Sequence, residues 1–473
     1  MWMVIWWITE ATHLAITALI PLATFPLLGI MPSAQVAPHY ANHLIFLFLG
    51  GFVIALAMEK WDLHKRIALG VVARVGQRLD RLVLAFTLAT GCLSMWISNT
   101  ATTLMMLPIA MAVVNQAAEL IPPGQLPGGV GLAQIRASLG LALMLAIAYG
   151  SSIGGVGTLV GTPTNIALVG FLHERFPQQP PISFYQWMLI GVPLVAVFLP
   201  FTAFYLCWLS RPVRLTRVRI PICTAVIEQE RQRLGPMKTP EKATLVVGLV
   251  TAGLWIFREP IQLGWWSLPG WSQWLPWGGH VHDATVAMFS AGLLCLLPAR
   301  LRGPLEWRGR QERFVMDWNT IQQRLPWDVL LLFGGGFALA AGVEQSGLAS
   351  WLAQQAGALR ALPLWGLVMF ACLLTAVLGS VASNVATVLM LCPVLTEAAL
   401  RLGVHPYLLL VPATVMASFD FLLPVGTPPN AIVFSSGWVT VPAMFRAGLG
   451  LQLVSVVLVP LLVYVLGGRV FGF

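Results

Sequence analysis

Apolar residues fall into long blocks near 13–31, 43–59, 81–120, 138–175, 187–209, 243–257, 284–298, 326–345, 363–400, 405–434 and 449–467. A helix needs about 20 such residues, at about 1.5 Å each, to cross a hydrocarbon layer about 30 Å thick. The pattern therefore predicts an all-α polytopic membrane protein. Four blocks carry polar residues or glycines near their middle. Block 81–120 contains Ser98-Asn99-Thr100-Ala101-Thr102-Thr103, and block 363–400 contains Ser383-Asn384-Val385. Block 138–175 contains Tyr149-Gly150-Ser151-Ser152-Ile153-Gly154-Gly155-Val156-Gly157 and then Gly161-Thr162-Pro163-Thr164-Asn165. Block 405–434 contains Gly426-Thr427-Pro428-Pro429-Asn430. Polar groups at membrane depth are costly unless they face protein or water.

The interruptions recur in register. Phe52 and Phe337, Glu59 and Glu344, Ser98 and Ser383, and Pro108 and Pro393 all stand 285 residues apart. Gly161 and Gly426 stand 265 apart, so a connection is shorter in the second copy. Five crossings separate the starts of the copies, 43–59, 138–175, 187–209, 243–257 and 284–298, since 81–120 adds an even number whether it is two spans or a re-entrant hairpin. An odd number inserts the second copy upside down, and such inverted repeats mark secondary transporters. The organisation read from this is N-terminal helices over 1–42, a first repeat over 43–209, basic loops and linking spans over 210–325, and a second repeat over 326–473. The first repeat has a re-entrant helical hairpin at 81–120 and a broken helix at 138–175. The second has its hairpin at 363–400 and its broken helix at 405–434.

Composition agrees with a membrane location. Hydrophobic residues make up 58% of the chain and charged residues 10%, against about 25% charged in soluble proteins. The net charge of +9 is gathered in the loops 60–81, 211–242 and 300–324. By the positive-inside rule these loops are cytoplasmic. They lack the aromatic interleaving of a nucleic-acid surface. Loop 32–42 has no Lys or Arg, and 258–283 has only Arg258 beside Trp265, Trp266, Trp271, Trp274 and Trp277. That composition suits an outer interfacial belt and leaves the C-terminus outside. The segment 61–77 mixes charged and apolar residues at helical spacing and is expected to lie along the inner interface. The six cysteines form no CxxC pair and read as small packing residues. The run Met1–Ala11 reads as the second half of a span, with its first half upstream of Met1 or with a first helix lacking. Glu10, His13, Glu59, Asp283, Asp328 and Glu344 fall near span ends, where snorkelling is cheap, and are given structural roles.

Two chemistries fit the interruptions. The serines and threonines near Asn99 line a hairpin tip, or else bond back to carbonyls of a single helix. The glycine-rich blocks are helices broken at mid-depth, or else tightly packed small-residue interfaces. A second copy in register favours the site-lining reading in both cases. A broken helix frees carbonyls for a cation and N–H groups for an anion. No Arg or Lys lies in these motifs. An anionic substrate would be held by hydroxyls, amides and helix dipoles, with bound cations balancing its charge. Oxygen ligands such as Ser94, Ser98 and Asn99 suit a hard monovalent ion better than a transition metal.

These residues resemble the divalent anion:sodium symporter family over nearly the whole chain. The resemblance rests on Trp6-Trp7-Ile8-Thr9-Glu10-Ala11, on both Ser-Asn motifs and on the segment ASFDFLLPVGTPPNAIV from Ala417 to Val433. That segment matches the family signature at Ser418, Phe421, Pro424, Gly426, Asn430, Ile432 and Val433. The resemblance implies a dimeric scaffold domain with a transport domain that moves as an elevator through the cell membrane. Sodium would be the coupling ion, with no prosthetic group. One sodium site would use Ser94, Ser98, Asn99 and Gly161. The other would use Gly379, Ala382, Asn384 and Gly426. The anion would touch Asn99, Thr100, Thr162, Ser383, Asn384, Thr427 and Pro428.

Three positions depart from the family pattern. Val385 stands where the family often has Thr. Gly379 stands where the first copy has Ser94. Asp420 puts a carboxylate inside the signature, either as a group paired with a neighbour or facing water, or as a coupling residue that compensates for Gly379. The reading is sodium-coupled symport of a small divalent anion, a C4-dicarboxylate or related di- or tricarboxylate before sulfate. A sulfate symporter and a sodium-independent dicarboxylate exchanger remain as alternatives. An intramembrane hydrolase would need an activated nucleophile and a base, and the motifs supply no such pair, so the chain is read as no enzyme.

Overall fold

The computed structural model describes residues 2–9, 11–75, 78–119, 132–209, 223–263, 266–300, 305–307, 309–348, 351, 362–380 and 382–471. Glu10, Arg211, Arg214, Arg217, Arg219, Trp265, Arg302 and Arg308 lie outside the described residues. Three short helices open the chain, α1 (Trp2–Thr9), α2 (Leu14–Ala18) and α3 (Ile20–Leu27). The first repeat then runs through α4 (His43–Lys60), α5 (Leu63–Val75), α6 (Leu79–Ser94), α7 (Asn99–Glu119), α8 (Leu132–Gly155), α9 (Pro163–Arg175) and α10 (Phe184–Leu209). Linking helices are α11 (Cys223–Leu234), α12 (Thr239–Ile256), α13 (Asp283–Leu296) and α14 (Trp318–Arg324). The second repeat comprises α15 (Trp327–Gln345), α16 (Leu364–Gly379), α17 (Asn384–Leu402), α18 (Tyr407–Ser418), α19 (Pro428–Phe434) and α20 (Val441–Phe471). Two short antiparallel β-hairpins sit in the linking region.

The hairpin arms and the short helices after the breaks begin at repeat-equivalent residues. Helices α6 and α16 each have 16 residues and start and end 285 apart. Helices α7 and α17 begin at Asn99 and Asn384, again 285 apart. Helices α9 and α19 begin at Pro163 and Pro428, 265 apart. The local cause of the last pair is steric. Proline suits the first helical turn and forces the residue before it into an extended conformation. Thr162 and Thr427 accordingly have φ −139° and φ −138°.

The two copies exchange contacts. Helix α8 packs on both arms of its own hairpin, α6 and α7, as α18 packs on α16 and α17. Helix α9 crosses to α17 and α18 of the other copy, and α19 crosses to α7 and α8. Reciprocal contacts of this kind define a local two-fold axis. Phe48 and Phe333, equivalent residues of α4 and α15, meet each other edge-to-face at 5.3 Å, which puts the axis between them.

Among the described residues six helical stretches are long and apolar enough to cross a membrane, Ser33–Lys60, Ala133–Gly155, Phe184–Leu209, Trp327–Gln345, Asn384–Leu402 and Val441–Phe471. Their outward faces leave Phe46, Phe204, Leu331 and Leu453 exposed, which hydrocarbon tolerates and water does not. Helix α5 buries Leu63, Ala68, Leu69 and Val72 and packs against α6 and α11.

Charges at the helix ends are paired. Lys60, closing α4, reaches Glu312 and Asp317 at 2.6 Å each. Glu59 pairs with Arg324, and Glu344 with Arg175, both at 2.8 Å. Asp283 was expected to snorkel, and it does not. It is 1% exposed and bonds Arg258 Nε at 2.5 Å, while accepting the Phe184 N–H at 3.2 Å. Arg258, the one basic residue expected in its loop, is the counter-ion that makes this burial possible. Removing one partner of such a pair strands the other, at a cost of about 3–5 kcal/mol. Arg258→Ala is expected to lower the thermal midpoint of the purified protein by several degrees, read by unfolding in detergent, with Arg231→Ala on the exposed surface as the unaffected control.

Candidate functional site

The site forms where the helix breaks and hairpin tips meet. Chain 156–162 joins α8 to α9, and chain 419–427 joins α18 to α19. The breaks touch across the repeats: the Thr164 and Ser418 hydroxyls lie 2.6 Å apart and fully buried. Tyr149 of α8 donates its hydroxyl to the Phe421 carbonyl at 3.0 Å in the opposite break.

In the first copy oxygens converge on the break. Ser94, the last residue of α6, donates to Asn99 Oδ1 at 2.6 Å. The Ser94 and Met95 carbonyls point at Gly161, where an added Cβ would lie 2.9 Å and 3.0 Å from them and would collide with the Gly155 carbonyl. A Cβ on Gly155 would collide with Asn99 Oδ1. Ser94, Asn99 and Gly161 are thus brought together, with Gly155 and Met95 added. Hard cations take such oxygen ligands. Ser98 is placed differently. Its hydroxyl accepts the Ala101 N–H at 3.3 Å and caps α7.

The second copy has the same frame with other groups in it. Asn384 Oδ1 is buried without a hydrogen-bond partner. A Cβ on Gly379 would lie 3.9 Å from that oxygen and 3.7 Å from the Ala417 carbonyl. Ala382 is buried at the tip, and Ser383 precedes α17 with an extended backbone. Asp420 is buried against Gly426, and Ser380 donates to its Oδ1 at 3.2 Å. Asp420 therefore does not face water.

The residues expected to touch an anion stand at the starts of four helices. Asn99 and Thr100 open α7, Ser383 and Asn384 open α17, Thr162 precedes α9, and Thr427 and Pro428 open α19. Helix α9 packs on α17, and α19 packs on α7. The tips Ser98 to Thr100, with Ser383 and Asn384, are half-buried, whereas Thr162 and Thr427 are buried. The starts of the long helices α7, α9 and α17 carry positive dipole ends. Val385 is buried apolar surface at this place.

Sequence reasoning gave no role to the asparagine that follows each Thr-Pro. Asn165 donates to the Gly155 carbonyl at 3.3 Å and the Thr158 carbonyl at 2.7 Å. Asn430 donates to the Asp420 carbonyl at 3.0 Å and the Leu423 carbonyl at 2.9 Å. Each amide spans its own break and fixes carbonyls that the helix released. The signal was present, since the two stand 265 apart like the glycines before them. Thr158 adds a second brace by donating to the Met95 carbonyl at 2.5 Å.

Paired hairpins facing two broken helices, with polar groups gathered between them, are the construction of a secondary transporter. The chain belongs to the sodium:sulfate symporter family, whose transmembrane region matches residues 1–471. Among its curated relatives is a sodium-dependent dicarboxylate transporter of Staphylococcus saprophyticus, 38% identical over 472 residues, 100% of this chain and 86% of that protein. The corresponding protein of Staphylococcus aureus is 38% identical over 464 residues, 98% of this chain and 84% of that protein. These kin are transporters, and the chain is a transporter rather than an enzyme. Two solved structures share the fold. The YdaH transporter of Alcanivorax borkumensis aligns with TM-score 0.55 at 15% identity, covering 93% of this chain and 88% of that one. MtrF of Neisseria gonorrhoeae aligns with TM-score 0.56 at 14% identity, covering 91% and 82%.

Leaving buried carbonyls without a donor costs about 1–3 kcal/mol. Asn165→Ala is expected to destabilise the protein by that amount and to speed amide hydrogen exchange across 156–161. Exchange mapped by mass spectrometry checks this, with distant α12 as the reference.

Proposed function

We propose that the protein couples the inward movement of sodium ions to uptake of a small dicarboxylate across the cell membrane. The observation that carries this reading is the set of oxygens around Gly161, from Ser94, Met95, Asn99 and Gly155, with no cationic side chain among them. Such a set suits a small hard cation. The staphylococcal relatives named for sodium and dicarboxylate, matched along the whole chain, support both halves of the reading. In it Ser94, Asn99 and Gly161 hold the first ion, with Ser98 shaping the tip. Gly379, Ala382, Asn384 and Gly426 frame the second. Asn99, Thr100, Thr162, Ser383, Asn384, Thr427 and Pro428 receive the carboxylates through hydroxyls, amides and helix starts. Bound sodium offsets the charge of an anion that meets no Arg or Lys. The buried methyls of Val385 favour a compact dicarboxylate over a more hydroxylated one.

Movement is assigned to one block and anchoring to another. The hairpins and broken helices pack with α10 and α20 and form the transport domain. Helices α4, α12, α13 and α15 pack with one another or with the N-terminal helices and form the scaffold, which is the surface for a homodimer. The basic loops face the cytoplasm and the C-terminus faces outward. The local two-fold then lies in the membrane plane, and sliding of the transport block exposes the site to each side in turn.

Two measurements test this. Uptake of labelled succinate into proteoliposomes is expected to collapse when external sodium is replaced by choline. Undiminished uptake in choline, driven by dicarboxylate inside, would mean exchange instead. For the elevator, Gly170 of α9 meets the Phe337 ring of α15 across the two blocks. Joining cysteines at these positions with a short bis-maleimide is expected to arrest uptake, with the unmodified double variant still active. Full transport after cross-linking would refute a sliding block.

A further inference from the structure

The repeat allows the two cation sites to be compared position by position, and the comparison rests on the sodium coupling proposed above. Asn99 and Asn384, Gly161 and Gly426, and Asn165 and Asn430 are the same residue in both copies. Three positions differ. Ser94 becomes Gly379, Met95 becomes Ser380, and Gly155 becomes Asp420. The second copy carries its hydroxyl one residue further on and gains a carboxylate.

The structure puts that carboxylate in the second site. Asp420 is 1% exposed. Its Oδ1 accepts from Ser380 Oγ at 3.2 Å and from the Leu422 N–H at 3.3 Å. Its Oδ2 is buried and has no hydrogen-bond partner among the described residues. That oxygen lies against the α-carbon of Gly426, so closely that an added Cβ would coincide with it. Glycine at 426 is therefore a requirement of Asp420. Every neighbouring element brings a neutral group. Helix α16 contributes Ser380, α19 contributes Asn430 and α20 contributes Gln452, whose Oε1 accepts the Phe421 N–H at 3.4 Å. Tyr149 of α8 spends its hydroxyl on the Phe421 and Met444 carbonyls. Among the described residues no Lys, Arg or His forms an ion pair with Asp420.

A buried carboxylate with neither counter-ion nor full hydrogen bonding is costly. Asn384 Oδ1, across the gap left by Gly379, is a second buried acceptor without a donor. Two orphan oxygens of this kind beside a helix break form a set that a hard cation can satisfy.

We propose that Asp420 supplies an anionic ligand to the second cation site, so that this chain holds its second sodium ion with a carboxylate where its first site uses neutral oxygens alone. Ligand charge sets cation affinity in oxygen sites, so the second site is the tighter one and fills first. Its ion travels with the charge cancelled and the empty carrier returns with the carboxylate's negative charge, so the charge of the loaded and empty forms changes while the net charge moved per cycle does not.

The test is sodium-induced stabilisation of the purified full-length protein, without dicarboxylate and with choline holding ionic strength constant. A ligand that binds the folded state raises its melting temperature. In Asp420→Asn, which keeps the shape and removes the charge, the half-saturating sodium concentration is expected to rise by about tenfold. Sodium activation of uptake is expected to become less steep. A second variant, Asp420→Gly with Gly379→Ser, rebuilds the first copy's ligands in the second and guards against a misfolded single variant. It is expected to bind sodium more weakly than the wild type. Wild-type sodium affinity in either folded variant overturns the assignment of Asp420. No response to sodium in the wild type itself overturns the coupling reading as well.

Discussion

Everything at the centre of this protein depends on one constraint: a backbone carbonyl or N–H at membrane depth must have a partner. Two helices are broken there, after Gly155 and after Ser418. Each break releases polar groups that water cannot satisfy. The surrounding side chains are chosen to answer that need. Asn165 and Asn430 stretch across their own breaks. Thr158 ties the first break to the tip of its hairpin. The oxygens left over point inward together, and in the proposed reading a coupling ion completes them.

The two-fold relation between repeats explains why the site has two halves. Each short helix, α9 and α19, leaves its own copy and packs on the hairpin of the other. An anion between the tips would therefore be held by both copies at once, while each cation is held within one. The groups that build the frame are duplicated. Those that fill it have diverged, with Ser94 against Gly379 and Gly155 against Asp420. A frame must be symmetric to pack, but the chemistry inside it need not be.

Charges at the rim obey a different logic. Glu59 and Glu344 are equivalent by sequence, yet one meets Arg324 just before α15 and the other meets Arg175 at the end of α9. Arg66 holds Glu241, and Arg258 holds Asp283. Arg258 fastens its loop to the start of α13, whereas the other pairs tie one helix to another.

The sequence by itself determined the class of the protein, its repeat, and the four places where the spans are interrupted. Those features are local. Hydrocarbon demands long apolar runs, proline demands an extended residue before it, and a duplication leaves constant offsets of 285 and 265 residues. The resemblance to a transporter family was legible for the same reason, because its motifs are contiguous. Tertiary structure alone decided which groups meet. Asn165 and Asn430 stood in the interrupting motifs without a role of their own, and only the fold shows them reaching back to the carbonyls of their breaks. Asp283 looked like a span-end carboxylate until Arg258 closed over it. Asp420 stood open between a solvated end and a ligand until it was found pressed against Gly426, its outer oxygen without a donor. Partners that lie tens or hundreds of residues away are set by packing in three dimensions, and no local pattern records them.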